Sequence, residues 1–425
     1  MTSGDGRAGD GDLFDRRRVA SGGGGAGDGD PLDRRRVASG GGGAGDGDPL
    51  DRRRIALAGL LRSCEPPAPA LARFVAAVGA EAAWDAVAGG CPPPAVAAAT
   101  APRVRGRSRA ELDGRAADDL RRAAAAGAEL LGPGDADWPA ACLAGLDRVV
   151  PFDGCPTAAE PVALYRRGGR WPVQQRGAVA VVGSRSATPY GVRVATEMGA
   201  ALAAGGFTVV SGAAFGVDAA AHRGALHAGT ASFAADCPGG VTVAVLACGI
   251  DRCYPVAHRS LLDATAACGS VVSEYPPGTV PARYRFLVRN RLIAAFGEAL
   301  VVVEAGMRSG SLNTATTALS LNRTVLAVPG PVTSALSAGC HDLIRGERAK
   351  LVTDARDVVG LVGPLQPAPP VHRDGDRPTD GLDLVTARVH DALPARGSAT
   401  VEEISVAAGL PVGDVLGALA ALQLD

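Results

Sequence analysis

Between residues 178 and 330 the chain repeats one device six times. A short, almost unbroken apolar run rich in Val ends in Gly, or in polar residues leading to Pro-Gly. The runs are AVAVVGS (178–184), FTVVSG (207–212), VTVAVLACG (241–249), SVVSEY (270–275), ALVVVEAG (299–306) and TVLAVPG (324–330), and helix-like stretches separate most of them. A strand exposed on one face would alternate apolar with polar residues. Runs apolar at nearly every position need cover on both faces, which a parallel sheet sandwiched by helices provides. The predicted fold is therefore α/β, an extended Rossmann-like parallel sheet. Ligands of such sheets bind beyond the carboxyl ends of the strands, so function is expected in the loops that follow these runs.

The rest of the 425 residues falls into shorter pieces. Residues 1–50 are a Gly-rich tandem repeat: DRRRVASGGGGAGDGDPL at 15–32 recurs unchanged at 33–50. Each copy has too few apolar residues to bury a core by stacking, and its Asp spacing misses the register of a calcium β-roll, so a disordered leader is expected. Residues 51–131 carry apolar residues at helical spacing and predict a small N-terminal helical module with no readable chemistry. A Pro-rich connector (132–177), the sheet domain (178–362) and a Pro- and Asp-rich linker (363–381) follow. Residues 382–425 have the rhythm of a truncated helix-turn-helix (winged-helix-like) tail. Its last helix, 412–424, has no Arg or Lys and includes Asp414, so a protein contact suits it better than a DNA groove.

Forty-three basic residues against forty-four acidic ones exclude a global positive field, and any nucleic-acid affinity must come from a local patch. No apolar run is long enough for a membrane span, and the Met1 end shows no secretory signal. The nine cysteines form no Cys-x-x-Cys pair. A cytoplasmic protein with reduced thiols, no metal and no membrane is expected.

Four loops carry chemistry. Gly183, Ser184 and Arg185 stand between a strand and a helix, where backbone N–H groups and a helix dipole suit an anion. Arg185 occupies the position where a dinucleotide fingerprint needs Gly, and its guanidinium fork suits phosphate instead. Ser211, Gly212 and Gly216 form a second Gly loop, read as a second phosphate nest. Asp218 is read as a helix N-terminal carboxylate and His222, one turn on, as its structural partner. The third loop runs into RYRFLVRNR (283–291), four Arg and two aromatics in a stretch with no Asp or Glu from 275 through 297. Arg285, Arg289 and Arg291 are expected to bind phosphates, with Asn290 beside them, while Phe286 stacks bases, a combination that serves single-stranded nucleic acid of any sequence. In the fourth, Glu304 is read as a loop brace, and Ser309 and Ser311 as helix caps. No residue is assigned a catalytic role.

These motifs closely resemble the DNA-processing protein A family (DprA, also called Smf). The matching elements are GSR at 183–185, SGAAFGVDAAAH at 211–222, LACGIDRCYP at 246–255, SEYPPG at 273–278, RFLVRNRLIAA at 285–295, VVVEAGMRSGSLNTA at 301–315 and AVPGPVTSALSAG at 327–339, in the family's order. GDADWPAAC near residue 134 extends the match upstream. Residues 231–240 read as an insertion loop. The resemblance implies a Rossmann-like domain without a bound dinucleotide or other cofactor. It implies a non-enzymatic mediator that binds single-stranded DNA, acts on strands coated by single-strand-binding protein and loads the RecA recombinase. A homodimer and a role in natural transformation are implied with it. Arg185 with its loop, Phe286, Arg289 and Arg291 map onto the DNA pocket by that likeness. The alternative is an enzyme on a similar scaffold, such as a nucleoside-monophosphate phosphoribohydrolase. That enzyme needs Pro-Gly-Gly-x-Gly-Thr on the loop where Ser309-Gly310-Ser311 stands here.

Overall fold

A computed structural model describes residues 49–150, 158–169, 177–232, 242–362, 382–394 and 397–422. The leader repeat up to residue 48, the linker 363–381 and most of the insertion loop lie outside the described residues; Ala231 and Ser232 of that loop close a helix, Val217–Ser232.

All six apolar runs are strands, and three further strands join them in one nine-stranded sheet. In chain order these are β1 (Ala128–Leu131), β2 (Leu164–Arg167), β3 (Ala178–Val182), β4 (Thr208–Ser211), β5 (Thr242–Leu246), β6 (Ser270–Ser273), β7 (Ala299–Val302), β8 (Thr324–Ala327) and β9 (Lys350–Leu351). Their spatial order is β1-β2-β6-β5-β4-β3-β7-β8-β9. From β6 through β9 every pairing is parallel, whereas β1 and β2 add antiparallel at one edge. Two expectations are corrected here. Residues 128–131 were counted with a helix and are strand β1, and the connector supplies β2. Tyr165 and Arg166 of β2 are buried by pairing with β6, a tertiary effect that four residues of local sequence do not announce.

Period-two alternation sorts the central strands between two cores. Ala178, Ala180 and Val182 of β3 meet the helices Arg283–Phe296, Gly310–Ser320 and Ala338–Arg345. Val179 and Val181 face the opposite way, toward Pro189–Ala204, Val217–Ser232 and Ala355–Val362. A third core joins the N-terminal helices to the β1–β2 edge through Leu57, Leu60, Trp84, Leu130 and Tyr165. These helices start where local chemistry places them: Pro69 and Pro94 occupy first turns, and Ser108 with Glu111 closes a capping box at Arg109–Ala125. The C-terminal segment is three helices, Leu384–Ala392, Val401–Ala408 and Val412–Leu422, around Val389, Ile404 and Val415. Among the described residues no single helix is long and apolar enough to cross a membrane.

The strand order reverses at β3. Chain growth runs outward through β4, β5 and β6 on one side, then resumes through β7, β8 and β9 on the other. The loops after β3 and β7 therefore part company and leave a crevice at the carboxyl edge.

Candidate nucleic-acid interface

An open cleft of about 810 Å³ lies at this crevice. The loop after β3, the loop after β7 and the first turns of the Arg283–Phe296 helix line it. Its charged lining is Arg185, Arg283, Arg289 and Arg308 against Asp218, a strong positive excess in a chain of net charge −1.

Arg185 and Phe286 meet here. The guanidinium lies 4.6 Å from the ring centroid, within cation–π range, and Arg185 is exposed. Tyr254, 43% exposed, lies against the same ring with centroids 5.6 Å apart and planes tilted by 52°. The cleft thus offers three rings, Tyr254, Tyr284 and Phe286, and a stacked guanidinium, with half-buried Asn290 and exposed Arg308 also in its lining. Arg283 and Tyr284 belong to the basic aromatic run that the sequence marks, whereas Tyr254 and Arg308 escaped the sequence reading. Tyr254 stands in the LACGIDRCYP motif and Arg308 in the strand-end motif, but nothing local told which of those side chains points outward.

The loop Gly183-Ser184-Arg185 keeps its shape by internal bonds. Ser184 Oγ accepts from the Ser186 N–H at 3.1 Å, and the Ser184 carbonyl accepts from Val217 N–H at 3.2 Å. A side chain on Gly183 would run into Val217 and the Glu304 carbonyl. Gly216 has φ +76°, and a Cβ there would strike the Ser184 carbonyl, so the two Gly loops interlock.

The second Gly loop is corrected from an open phosphate nest to a buried seat for Arg289. Ser211 is fully buried and its hydroxyl donates to the Val181 carbonyl at 2.6 Å. Arg289 Nη1 donates to the carbonyls of Gly212 at 2.6 Å and Val245 at 2.5 Å. Its guanidinium fills the space where a Gly212 side chain would stand. Burial pulls the Arg289 pKa down to about 10, and Asp218 nearby works against that shift, so the side chain stays charged at neutral pH. Arg289 touches the cleft from below, 6.0 Å from the Phe286 centroid, at 3% exposure.

Arg291 and Arg285 are corrected too. Arg291 is 2% exposed and clamped by Glu274 in a two-pronged pair at 2.8 and 2.7 Å, so no phosphate reaches it. The Arg285 guanidinium turns away to Glu65 of the N-terminal module. Helical geometry sends Arg291 to another side from Arg289, whereas Arg285 and Arg289 stand one turn apart on the same side and are separated by their partners, Glu65 and the Gly212 carbonyl. Only part of the basic run can face one cleft.

Glu304 braces the β3 loop: it accepts from the Thr188 N–H at 2.9 Å and the Thr188 hydroxyl at 2.6 Å, and is 2% exposed. It sits at the positive end of the Pro189–Ala204 helix, where Gly191 leaves room for it. Ser309 caps the Gly310–Ser320 helix through the Ser311 N–H, and the Ser309 and Ser311 hydroxyls bond each other. Asp218 and His222 do not pair as expected. Asp218 accepts from Ala214 N–H at 3.4 Å, and burial raises its pKa. His222 bonds Thr242 Oγ1 at 2.6 Å, and burial lowers its pKa to about 3, so the ring is neutral.

The family model described as DNA recombination-mediator protein A matches residues 130–363. A protein of Mycobacterium tuberculosis bearing the name DNA processing protein DprA is 44% identical over 376 residues, 86% of this chain and 90% of its own length. Protein Smf of Escherichia coli is 35% identical over 254 residues, 58% of this chain and 64% of that one. The X-ray structure of DNA processing protein A from Streptococcus pneumoniae aligns with a TM-score of 0.52 at 30% identity, covering 73% of this chain and 95% of that one.

Proposed function

The chain belongs to the DNA recombination-mediator protein A family, a family of mediators rather than enzymes, and on that premise we propose that its crevice grips single-stranded DNA. Phe286 and Tyr254 stack bases while Arg185, Arg283 and Arg308 hold phosphates. Asn290 bonds a sugar or base edge, and Gly183 and Ser184 shape the loop that carries Arg185. Arg289 acts from beneath as a fixed charge. The single observation that carries this reading is the exposed Arg185 guanidinium resting on Phe286 at the rim of a cleft lined by four arginines. Unpaired bases offer both faces to a ring and a backbone to guanidinium groups; a duplex hides the first. Stacking ignores base identity, so binding independent of sequence follows.

The family's description as a recombination mediator supports a step in which the bound strand is passed on for recombination; as its finer form we propose delivery of strands coated by single-strand-binding protein to the RecA recombinase, by a cytoplasmic homodimer, in natural transformation. Anisotropy titrations of labelled single- and double-stranded oligonucleotides test the core of this. Single strands should bind more tightly, with a log–log salt slope of about −2 for three phosphate contacts. Equal affinity for duplex, or affinity indifferent to salt, would overturn it. Recombinase nucleation on strands precoated with single-strand-binding protein, with and without this chain, tests the delivery step.

A further inference from the structure

A second basic cleft, of about 480 Å³, opens between the N-terminal helices and the sheet. Six arginines line it, Arg62, Arg103, Arg107, Arg115, Arg122 and Arg285, against one lining carboxylate, Glu65. Like charges gathered this closely repel, and the protein balances only some of them. Glu65 holds both Arg103 and Arg285. Buried Asp119 clamps Arg62, and Asp251 takes Arg122 at 2.7 Å.

Three carboxylates thus serve four guanidinium groups, while Arg107 and Arg115 are left with no described carboxylate at ion-pair distance. Arg107 donates to the Arg103 carbonyl, and both Arg107 and exposed Arg115 act on Glu111 through space. Glu111 is itself held by the Ser108 N–H and hydroxyl at 2.7 and 2.9 Å.

The two clefts share a wall. In the first turn of the Arg283–Phe296 helix, Tyr284 lines the Phe286 cleft and the next residue, Arg285, lines this one. Both bond Glu65 Oε1, at 2.9 and 2.6 Å, and Tyr284 is 48% exposed at the divide. The ridge thus sets two guanidinium groups, Arg103 and Arg285, against one carboxylate, Glu65.

We propose that the second cleft is a further segment of the same strand path, in which Arg107 and Arg115 take phosphodiester groups of single-stranded DNA that crosses Tyr284 from the Phe286 cleft. The proposal rests on the single-strand reading above. A polymer suits the geometry better than a small anion, because the unbalanced charge spans two open clefts joined over one ridge. Tyr275, Pro276 and Pro277 give the second cleft an apolar floor for sugars and bases.

The test uses the full chain, oligothymidylates of about 6 and about 20 nucleotides, and the double variant Arg107→Ala with Arg115→Ala. For the long strand the salt slope should become shallower by about 1.4, two contacts at about 0.7 each. For the short strand, seated in the Phe286 cleft, it should not change. Arg73→Ala with Arg105→Ala removes the same charge from exposed positions outside the cleft and should alter neither slope. An unchanged long-strand slope in the Arg107/Arg115 variant overturns the proposal, as does an equal loss for both lengths. Wild-type protein that binds neither length would overturn the single-strand reading as well, and is a distinct result.

Discussion

The Arg185 guanidinium lies 4.6 Å from the centroid of the Phe286 ring, although about a hundred residues of chain separate the two. The contact joins a charge suited to phosphate and a face suited to a base, and the two contributions separate by salt. Phe286→Ala should weaken single-strand binding by about 1–3 kcal/mol, the worth of one stacked base, and leave the salt slope unchanged. Arg185→Ala should make that slope shallower by about 0.7. Anisotropy titrations at several salt concentrations check both. A slope change in the Phe286 variant would mean the ring acts by positioning Arg185 rather than by stacking.

Arg289 behaves as a structural charge in this geometry. Its guanidinium is buried against the Gly212 and Val245 carbonyls, with Asp218 close enough to oppose the burial shift. Arg289→Ala strands a buried carboxylate and two carbonyls, and should cost about 3–5 kcal/mol of stability. Gly212→Ala drives a methyl into the guanidinium and should destabilise by about 1–3 kcal/mol. Adding Asp218→Asn to Arg289→Ala should recover part of the loss. Denaturant unfolding of the four proteins measures this, and an Arg289→Ala protein as stable as wild type would refute the assignment.

The buried pair Arg291–Glu274 gives a sharper separation of stability from binding. Each partner is a few per cent exposed, and the pair is held in two prongs. Replacing only Arg291 by Ala should cost about 3–5 kcal/mol, whereas Arg291→Met with Glu274→Leu should be near neutral or stabilising. The double variant should bind single strands with wild-type affinity and salt slope. Weaker binding by a well-folded double variant would return Arg291 to the interface.

What the sequence made legible follows from range. The six central strands and the crevice loops are written in local apolar runs and Gly positions, and the structure places all six as strands. Strands β1, β2 and β9 are two to four residues long and owe their state to pairing partners far along the chain. Within RYRFLVRNR the composition pointed to a basic, aromatic surface. Which Arg faces outward depended on Glu65, Glu274 and Gly212, separated from it by up to hundreds of residues. Tyr254 was invisible for the same reason, since its exposure is a property of the folded crevice.

His222 gives stability a pH dependence of fixed sign. The ring is buried, bonds Thr242 Oγ1 at 2.6 Å, and has its pKa lowered to about 3. The Thr242 hydroxyl donates to the Val209 carbonyl at 2.7 Å, so its oxygen accepts from His222 Nδ1–H, an arrangement for the neutral ring. The unfolded ring takes up a proton near pH 6.5 while the folded one does not. Stability from this group is thus full above about pH 6.5 and declines by about 1.4 kcal/mol per pH unit as pH falls from there toward 3. Asp119 and Asp218, whose pKa values burial raises, act with the opposite sign, so the comparison must isolate the ring. Between pH 6.5 and 5, the unfolding free energy of wild type should fall more steeply than that of His222→Gln, by about 1.4 kcal/mol per unit. Urea denaturation across that interval reads the difference, and parallel profiles would show that the folded ring titrates normally.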